Sequence, residues 1–166
     1  AHIGNWELGA AVLGLLGYRL MVIALPHKER PVNDLFNAQR ETWGIAIVPT
    51  NGAVRKCIES LQQNQLVAIA ADRDFSATGE KLDFLGKKTL LPKGAAIFSL
   101  KTGAPIIPTF FIRKPDDSFM LVFEEPVFPV EKGKNNVGEE NILTIMGRYK
   151  MMIEEKIRHY PTQWLM

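Results

Sequence analysis

A histidine and a carboxylate stand close together at the start of the chain, in Ala1-His2-Ile3-Gly4-Asn5-Trp6-Glu7. Histidine can take and return a proton near neutrality. A carboxylate beside it can fix its tautomer and stabilise the imidazolium that forms, so such a pair does general acid–base chemistry. Geometry restricts the pairing. Five positions on one helix correspond to a rotation of about 140° at 3.6 residues per turn, so the two side chains would not share a face. The pair works if His2 lies just before a helix and Glu7 in its first turn. Gly4 and Asn5 disfavour helix, Asn5 suits an N-cap, and an acid in the first turn suits the helix dipole. His2 is therefore expected at a strand end, facing a helix start. The spacing alone is weak, because a surface histidine near a helix-starting glutamate reads the same way.

Two further stretches carry chemistry. Asp72-Arg73-Asp74 places two acids around a guanidinium, which can bind metal, orient a histidine, position a polar substrate or form a solvated loop. Pro92-Lys93-Gly94-Ala95-Ala96 opens a helix with small residues. Backbone N–H groups there can approach an oxyanion or phosphate, or the small residues can pack closely against a sheet. The common nucleotide fingerprints are absent, and so is the G-x-S-x-G elbow. His2, His27 and His159 show no metal-ligand spacing, so neither metal nor cofactor is expected. His27 and His159 read as surface residues, and Cys57, with no nucleophile signature around it, as an ordinary helix residue.

The elements that must position these groups follow from periodicity. The 166 residues are enough for one domain with a real core, 46% are hydrophobic, and the net charge of +2 is too small to argue for nucleic acid. A single cysteine excludes an internal disulfide framework. The longest apolar stretch, Leu8 to Leu25, approaches transmembrane length. Its glycines and Arg19 instead favour a helix from Trp6 to Leu16, a turn at Gly17 and a buried strand from Arg19 to Leu25, ended by Pro26. A helix from Pro31 to Trp43, a strand from Ile45 to Val48, an amphipathic helix from Ala53 to Asn64 and a strand from Leu66 to Ala71 continue the rhythm. Val54, Cys57, Ile58 and Leu61 are expected on the inner face of that second helix. The βαβαβ order predicts an α/β fold with a mostly parallel mixed sheet covered by helices on both faces. The site is then expected at the carboxyl ends of strands, where Asp72 falls. Beyond it come an alternating stretch with a turn at Gly86-Lys87-Lys88, a helix to about Lys101, a strand from Ile106 to Arg113, a turn at Asp116-Asp117, and a strand from Phe119 to Phe123. A charged loop from Glu131 to Glu139 precedes a long final helix, Asn141 to His159.

Six blocks, in order, resemble one family. His2-Ile3-Gly4-Asn5-Trp6-Glu7 resembles its H-x-G-N-W-E block, and Asn37 with Arg40 its N-x-x-R helix. Asp72-Arg73-Asp74 followed by Asp83-Phe84-Leu85-Gly86 resembles its D-x-D and D-F-F-G. Pro92 to Ala96 resembles its P-x-G-P-A, Thr102-Gly103-Ala104-Pro105-Ile106-Ile107-Pro108 its T-G-A-P-x-x-P, and Tyr160-Pro161-Thr162-Gln163-Trp164 its terminal Y-P-x-Q-W. The family is that of the bacterial lipid A biosynthesis (lauroyl/myristoyl) acyltransferases, within the lysophospholipid acyltransferase superfamily. Leu85, Ala95 and Arg73 depart from its commoner residues. The Asp-Arg-Asp version also resembles phosphatidylinositol mannoside acyltransferases.

The resemblance implies a glycerolipid acyltransferase-like single domain over residues 1–166. It also implies transfer of an acyl chain from a thioester, on acyl carrier protein or coenzyme A, to a hydroxyl of a lipid A precursor or another glycolipid. His2 is expected as general base and Glu7 as its orienter. Asn5, Arg40, Asp72, Asp74 and Gly94 are expected as substrate-binding residues, with Arg40 either on an acceptor phosphate or as a structural ion-pair partner. Lys87, Lys88 and Lys93 can meet an acidic carrier or anionic lipid, or be scattered solvated lysines. Family members work at the cytoplasmic face of the bacterial inner membrane and carry an N-terminal anchor and leading helical segment. Starting without Met, this chain is expected to be an N-terminally truncated fragment. A phospholipid or mannosylated inositol lipid as acceptor, and a non-catalytic lipid-binding module, are the alternatives.

Overall fold

The computed structural model describes residues 1–50, 52–75, 77–129 and 137–165. The chain divides into two compact units: Glu7–Ile69, and Ala1–Trp6 together with Ala70–Met166.

In the unit Glu7–Ile69, the apolar run from Leu8 to Leu25 resolves into a helix and a strand. The elements here are α1 (Trp6–Leu15, its first residue in the other unit), β1 (Leu20–Ala24), α2 (Arg30–Thr42), β2 (Ile45–Pro49), α3 (Ala53–Gln62) and β3 (Leu66–Ala68). The strands form a parallel sheet in the order β2-β1-β3, with Leu20 opposite Ile45 on one side and Leu66 on the other. Central β1 starts on buried Leu20, and Ile45, Val48, Ala53 and Cys57 complete the interior. The α3 face differs from expectation: Ala53, Cys57 and Ser60 are buried, whereas Val54 is exposed. Ser60 can turn inward because its hydroxyl donates to Met21 Sδ at 3.6 Å, which leaves the buried group satisfied. The strand expected to reach Ala71 stops at Ala68.

The other unit holds two antiparallel hairpins and two helices. Strands β4 (Glu80–Phe84) and β5 (Lys87–Leu91) are joined by Leu85 and Gly86, both at positive φ (52° and 80°). Two successive residues of that kind match the right-handed twist of a tight hairpin. Leu85 is an unusual occupant, and its N–H is held by Glu154 Oε1 at 2.7 Å. Helix α4 (Gly94–Thr102) leads to the β6 (Thr109–Arg113) and β7 (Phe119–Phe123) hairpin. The strand expected from Ile106 begins at Thr109 because Pro105 and Pro108 supply no N–H to a ladder; Ile106 instead bridges Val127. Most of the charged loop expected from Glu131 to Glu139 lies outside the described residues. Helix α5 (Glu139–His159) buries Ile142, Ile145, Met146, Tyr149, Ile153 and Ile157 along one stripe. These pack in a cluster with Ile3, Phe84, Leu91, Ala96, Phe110, Ile112 and Val127. A 3₁₀ turn, Pro161–Gln163, follows α5.

The fold is α/β as expected. Its parallel strands gather in one unit and its antiparallel pairs in the other.

Candidate active site

His2 and Ile3 are held as backbone, before any side chain is considered. Gly4 forms a parallel bridge to Phe111 on β6, and Ile3 an antiparallel bridge to Trp164. Gly4 donates to Gln163 O at 2.9 Å, Asn5 to Phe111 O at 3.0 Å, and Leu165 to His2 O at 2.9 Å. Gly4 sits at φ +64°, and a Cβ there would collide with the Phe111 carbonyl. Only glycine accommodates both conditions, which explains the H-x-G spelling. His2 thus lies on a short extended segment pinned from two sides, just before α1, as the spacing analysis required.

The carboxylate that holds the His2 ring is Asp72. His2 Nδ1 lies 2.9 Å from Asp72 Oδ1, and the His2 backbone N–H donates to Oδ2 at 2.8 Å. Trp164 Nε1–H donates to the same Oδ2 at 3.1 Å. The Asp72 side chain is fully buried and that of His2 keeps 20% of its surface exposed. Burial alone would push the Asp72 carboxyl up, but the hydrogen bond from the His2 ring, the positive charge of the Ala1 amino group and the hydrogen bond from the His2 backbone together outweigh it and hold it well below the ordinary carboxylate range. An ionised carboxylate only accepts, so Nδ1 carries the proton and Nε2 presents a lone pair. Among the described residues nothing hydrogen-bonds Nε2. Trp6 packs edge-on against the ring at 5.0 Å between centroids. The arrangement is that of an oriented imidazole base.

Glu7, expected to orient His2, is paired with another group. Glu7 begins α1 as predicted, but its carboxylate is engaged by Arg40 of α2. Arg40 Nε donates to Glu7 Oε2 at 3.0 Å, and Nη2 to Oε1. Arg40 is buried and lies 5.7 Å from the centroid of the Phe36 ring. Arg40 was expected either on an acceptor phosphate or in a structural ion pair. The geometry commits its planar fork to the planar carboxylate of Glu7, the bidentate match that arginine makes best. Sequence spacing could not anticipate this partner, because Glu7 and Arg40 are 33 positions apart and meet only in the fold.

The remaining predicted site residues are placed as follows. Asp74 Oδ2 accepts from Gly79 N–H at 3.3 Å, within the loop before β4. Gly94 opens α4, and a Cβ there would meet nothing within 4 Å, so close packing is not what makes it small. Asn5 immediately precedes α1. Lys88 pairs with Asp83 at 2.9 Å and Lys93 with Glu80 at 2.6 Å. Cys57 is buried, and burial pushes its thiol up. His27 and His159 are exposed. In the unit Glu7–Ile69, a cavity of about 340 Å³ opens at the carboxyl ends of β1 and β2, lined by Ala24, Leu25, Pro26, Asn33, Asn37, Glu41, Ile47 and Pro49. Among the described residues no group of three or more His, Cys, Asp or Glu is placed to hold a metal, and no helix is long and apolar enough to cross a membrane. The residue missed by sequence reasoning is Trp164. Its terminal Y-P-x-Q-W block was visible, but nothing in one dimension links it to Asp72.

The whole chain, residues 1–166, matches the family described as bacterial lipid A biosynthesis acyltransferase. The chain belongs to this family. Its curated relatives include a phosphatidylinositol mannoside acyltransferase of Mycobacterium tuberculosis (strain CDC 1551 / Oshkosh), 31% identical over 112 residues, which are 65% of this chain and 35% of that protein. Another, of the same name, comes from Mycolicibacterium smegmatis. It is 28% identical over 128 residues, covering 75% of this chain and 42% of that protein. The chain therefore spans less than half the length of the curated relatives it matches. As a member of the lipid A biosynthesis acyltransferase family, it carries the H-x-G-N-W-E block on a pinned segment that aims His2 at Asp72.

Proposed function

We propose that this chain forms part of an enzyme that transfers a fatty acyl group from a thioester to a hydroxyl of a glycolipid, with His2 as the general base. The observation that carries this reading is the His2–Asp72 pair: Nδ1 lies 2.9 Å from a fully buried carboxylate. The acceptor hydroxyl gives its proton to Nε2 as its oxygen attacks the thioester carbonyl. Asp72 stays ionised and stabilises the imidazolium. The tetrahedral intermediate then expels the thiolate, which takes the proton back from Nε2–H. A positioned base of this kind contributes about 10²–10⁴-fold to rate. Attack is direct, with no acyl-enzyme intermediate.

The acceptor is a glycolipid at a membrane surface, and the donor is acyl carrier protein or acyl-CoA. The names of the relatives, together with Arg73 in Asp72-Arg73-Asp74, support a phosphatidylinositol mannoside as acceptor. The family description supports a lipid A precursor. One assay separates these. The full-length protein and its His2→Ala variant are given labelled acyl carrier protein or acyl-CoA with each acceptor in turn. Transfer to one acceptor by wild type, falling by about 10² or more in the variant, is the expected result. Full transfer by His2→Ala refutes the base assignment, and wild type inert with every pair refutes the reaction.

A further inference from the structure

The terminal block Tyr160-Pro161-Thr162-Gln163-Trp164 has no part in the mechanism just described, yet it is built into the His2 segment at several points. Gln163 O accepts from Gly4 N–H, and Leu165 N–H donates to His2 O, both at 2.9 Å. The Gln163 side-chain amide closes on the backbone of Arg113 from both sides, Oε1 accepting from N–H at 3.0 Å and Nε2 donating to O at 2.8 Å. Trp164 therefore enters the site from a segment tied by its backbone to the His2 segment and by the Gln163 side chain to β6.

We propose that Trp164 is a positioning residue: its indole N–H, bonded to Asp72 Oδ2, fixes the rotamer and charge of the carboxylate that aims His2. The proposal deepens the acyl-transfer reading and rests on His2 being the base. Among the described residues, three donors meet the fully buried Asp72 carboxylate: His2 N–H, His2 Nδ1–H and Trp164 Nε1–H. Two of them come from the residue being aimed. The indole is the independent one, and it holds the carboxylate without following any movement of the imidazole. It shares Oδ2 with the His2 backbone, which leaves Oδ1 directed at Nδ1. The indole is itself fixed edge-on by the buried Phe84 ring, with centroids 6.1 Å apart. Phe84 precedes the tight Leu85-Gly86 turn that Glu154 secures. The Asp83-Phe84-Leu85-Gly86 block thus supports Trp164, Trp164 supports Asp72, and Asp72 supports His2.

The test is Trp164→Phe in the full-length protein, which removes the N–H and keeps an aromatic ring. A hydrogen bond to a charged acceptor is large enough that kcat should fall about 10-fold, with KM little changed. With one donor fewer, the Asp72 carboxylate turns more of its negative charge toward the His2 ring, so the acid limb of kcat/KM, which follows the base, should move up. A sulfur isostere of tryptophan, inserted at position 164 alone, keeps the shape and should reproduce both effects; it also covers the case in which the phenylalanine variant fails to fold. The ¹⁵N spectrum of His2 provides a reading independent of turnover: the share of the Nδ1–H tautomer should drop in either variant. Wild-type kcat, pH dependence and tautomer in both variants would overturn the proposal. So would a loss of kcat with pH dependence and tautomer unmoved, since packing alone gives that. If His2→Ala kept its activity, the base assignment would fall while the tautomer spectrum still tested the Trp164–Asp72 contact.

Discussion

Replacing Asp72 by asparagine puts the orientation of His2 to its sharpest test. The shapes match, so packing is preserved, but the hydrogen-bond inventory changes. The carboxylate offers two acceptor oxygens to His2 N–H, His2 Nδ1–H and Trp164 Nε1–H. Asparagine offers one oxygen and one NH₂. Its oxygen does best in the place of Oδ2, where it keeps two of these donors. The NH₂ then faces His2 Nδ1, which must accept, and the ring proton moves to Nε2. The imidazole remains in place in the wrong tautomer, with no lone pair toward the acceptor hydroxyl. The equivalent change in a serine-protease triad lowers kcat about 10⁴-fold, and a loss of about 10³–10⁴-fold is expected here. Acyl transfer by the full-length protein measures it, and ¹⁵N chemical shifts of His2 report the tautomer directly. A variant that keeps activity within about 10-fold of wild type, or that loses activity with the proton still on Nδ1, would refute the reasoning.

Two further outcomes concern stability. The Asp72 carboxyl is held below its unfolded pKa of about 3.9. Its stabilising contribution is therefore fully present above about pH 4 and is lost as pH falls toward the folded value. Denaturant unfolding of wild type and Asp72→Asn between pH 6 and pH 2 should show a gap in stability that narrows below about pH 4. Glu7→Ala leaves the buried Arg40 guanidinium without its carboxylate. Breaking a buried pair from one side costs about 3–5 kcal/mol; with Glu7 about one-third exposed, solvent screening reduces this to about 2 kcal/mol. Thermal unfolding should show that loss, with the His2 tautomer unchanged. A shifted tautomer would return Glu7 to the orienting role expected from spacing.

Much of this protein was readable in one dimension. Helix and strand types and their order followed from apolar periodicity and from Gly and Pro punctuation, because those are local properties of the chain. Pro26 and Gly44 lie just beyond β1 and α2, and the Asp116-Asp117 turn lies where expected. The family was legible in the blocks that resemble its motifs, and the H-x-G-N-W-E block carries its own geometry: Gly4 must be glycine to pass Phe111, and α1 starts just after Asn5.

The partners of the charged groups were decided only by tertiary structure. Asp72 is 70 positions from His2 and Trp164 is 92 from Asp72, while Glu7 is 33 from Arg40. Proximity in sequence suggested Glu7 for His2, but hydrogen bonds form between groups that the fold brings within about 3 Å. In the chain alone, Asp72-Arg73-Asp74 could as well have been a metal site, a substrate clamp or a solvated loop. Burial of one of its acids beside an imidazole and an indole selected the role, because a fully buried carboxylate must be met by donors and His2 and Trp164 are the ones that meet it.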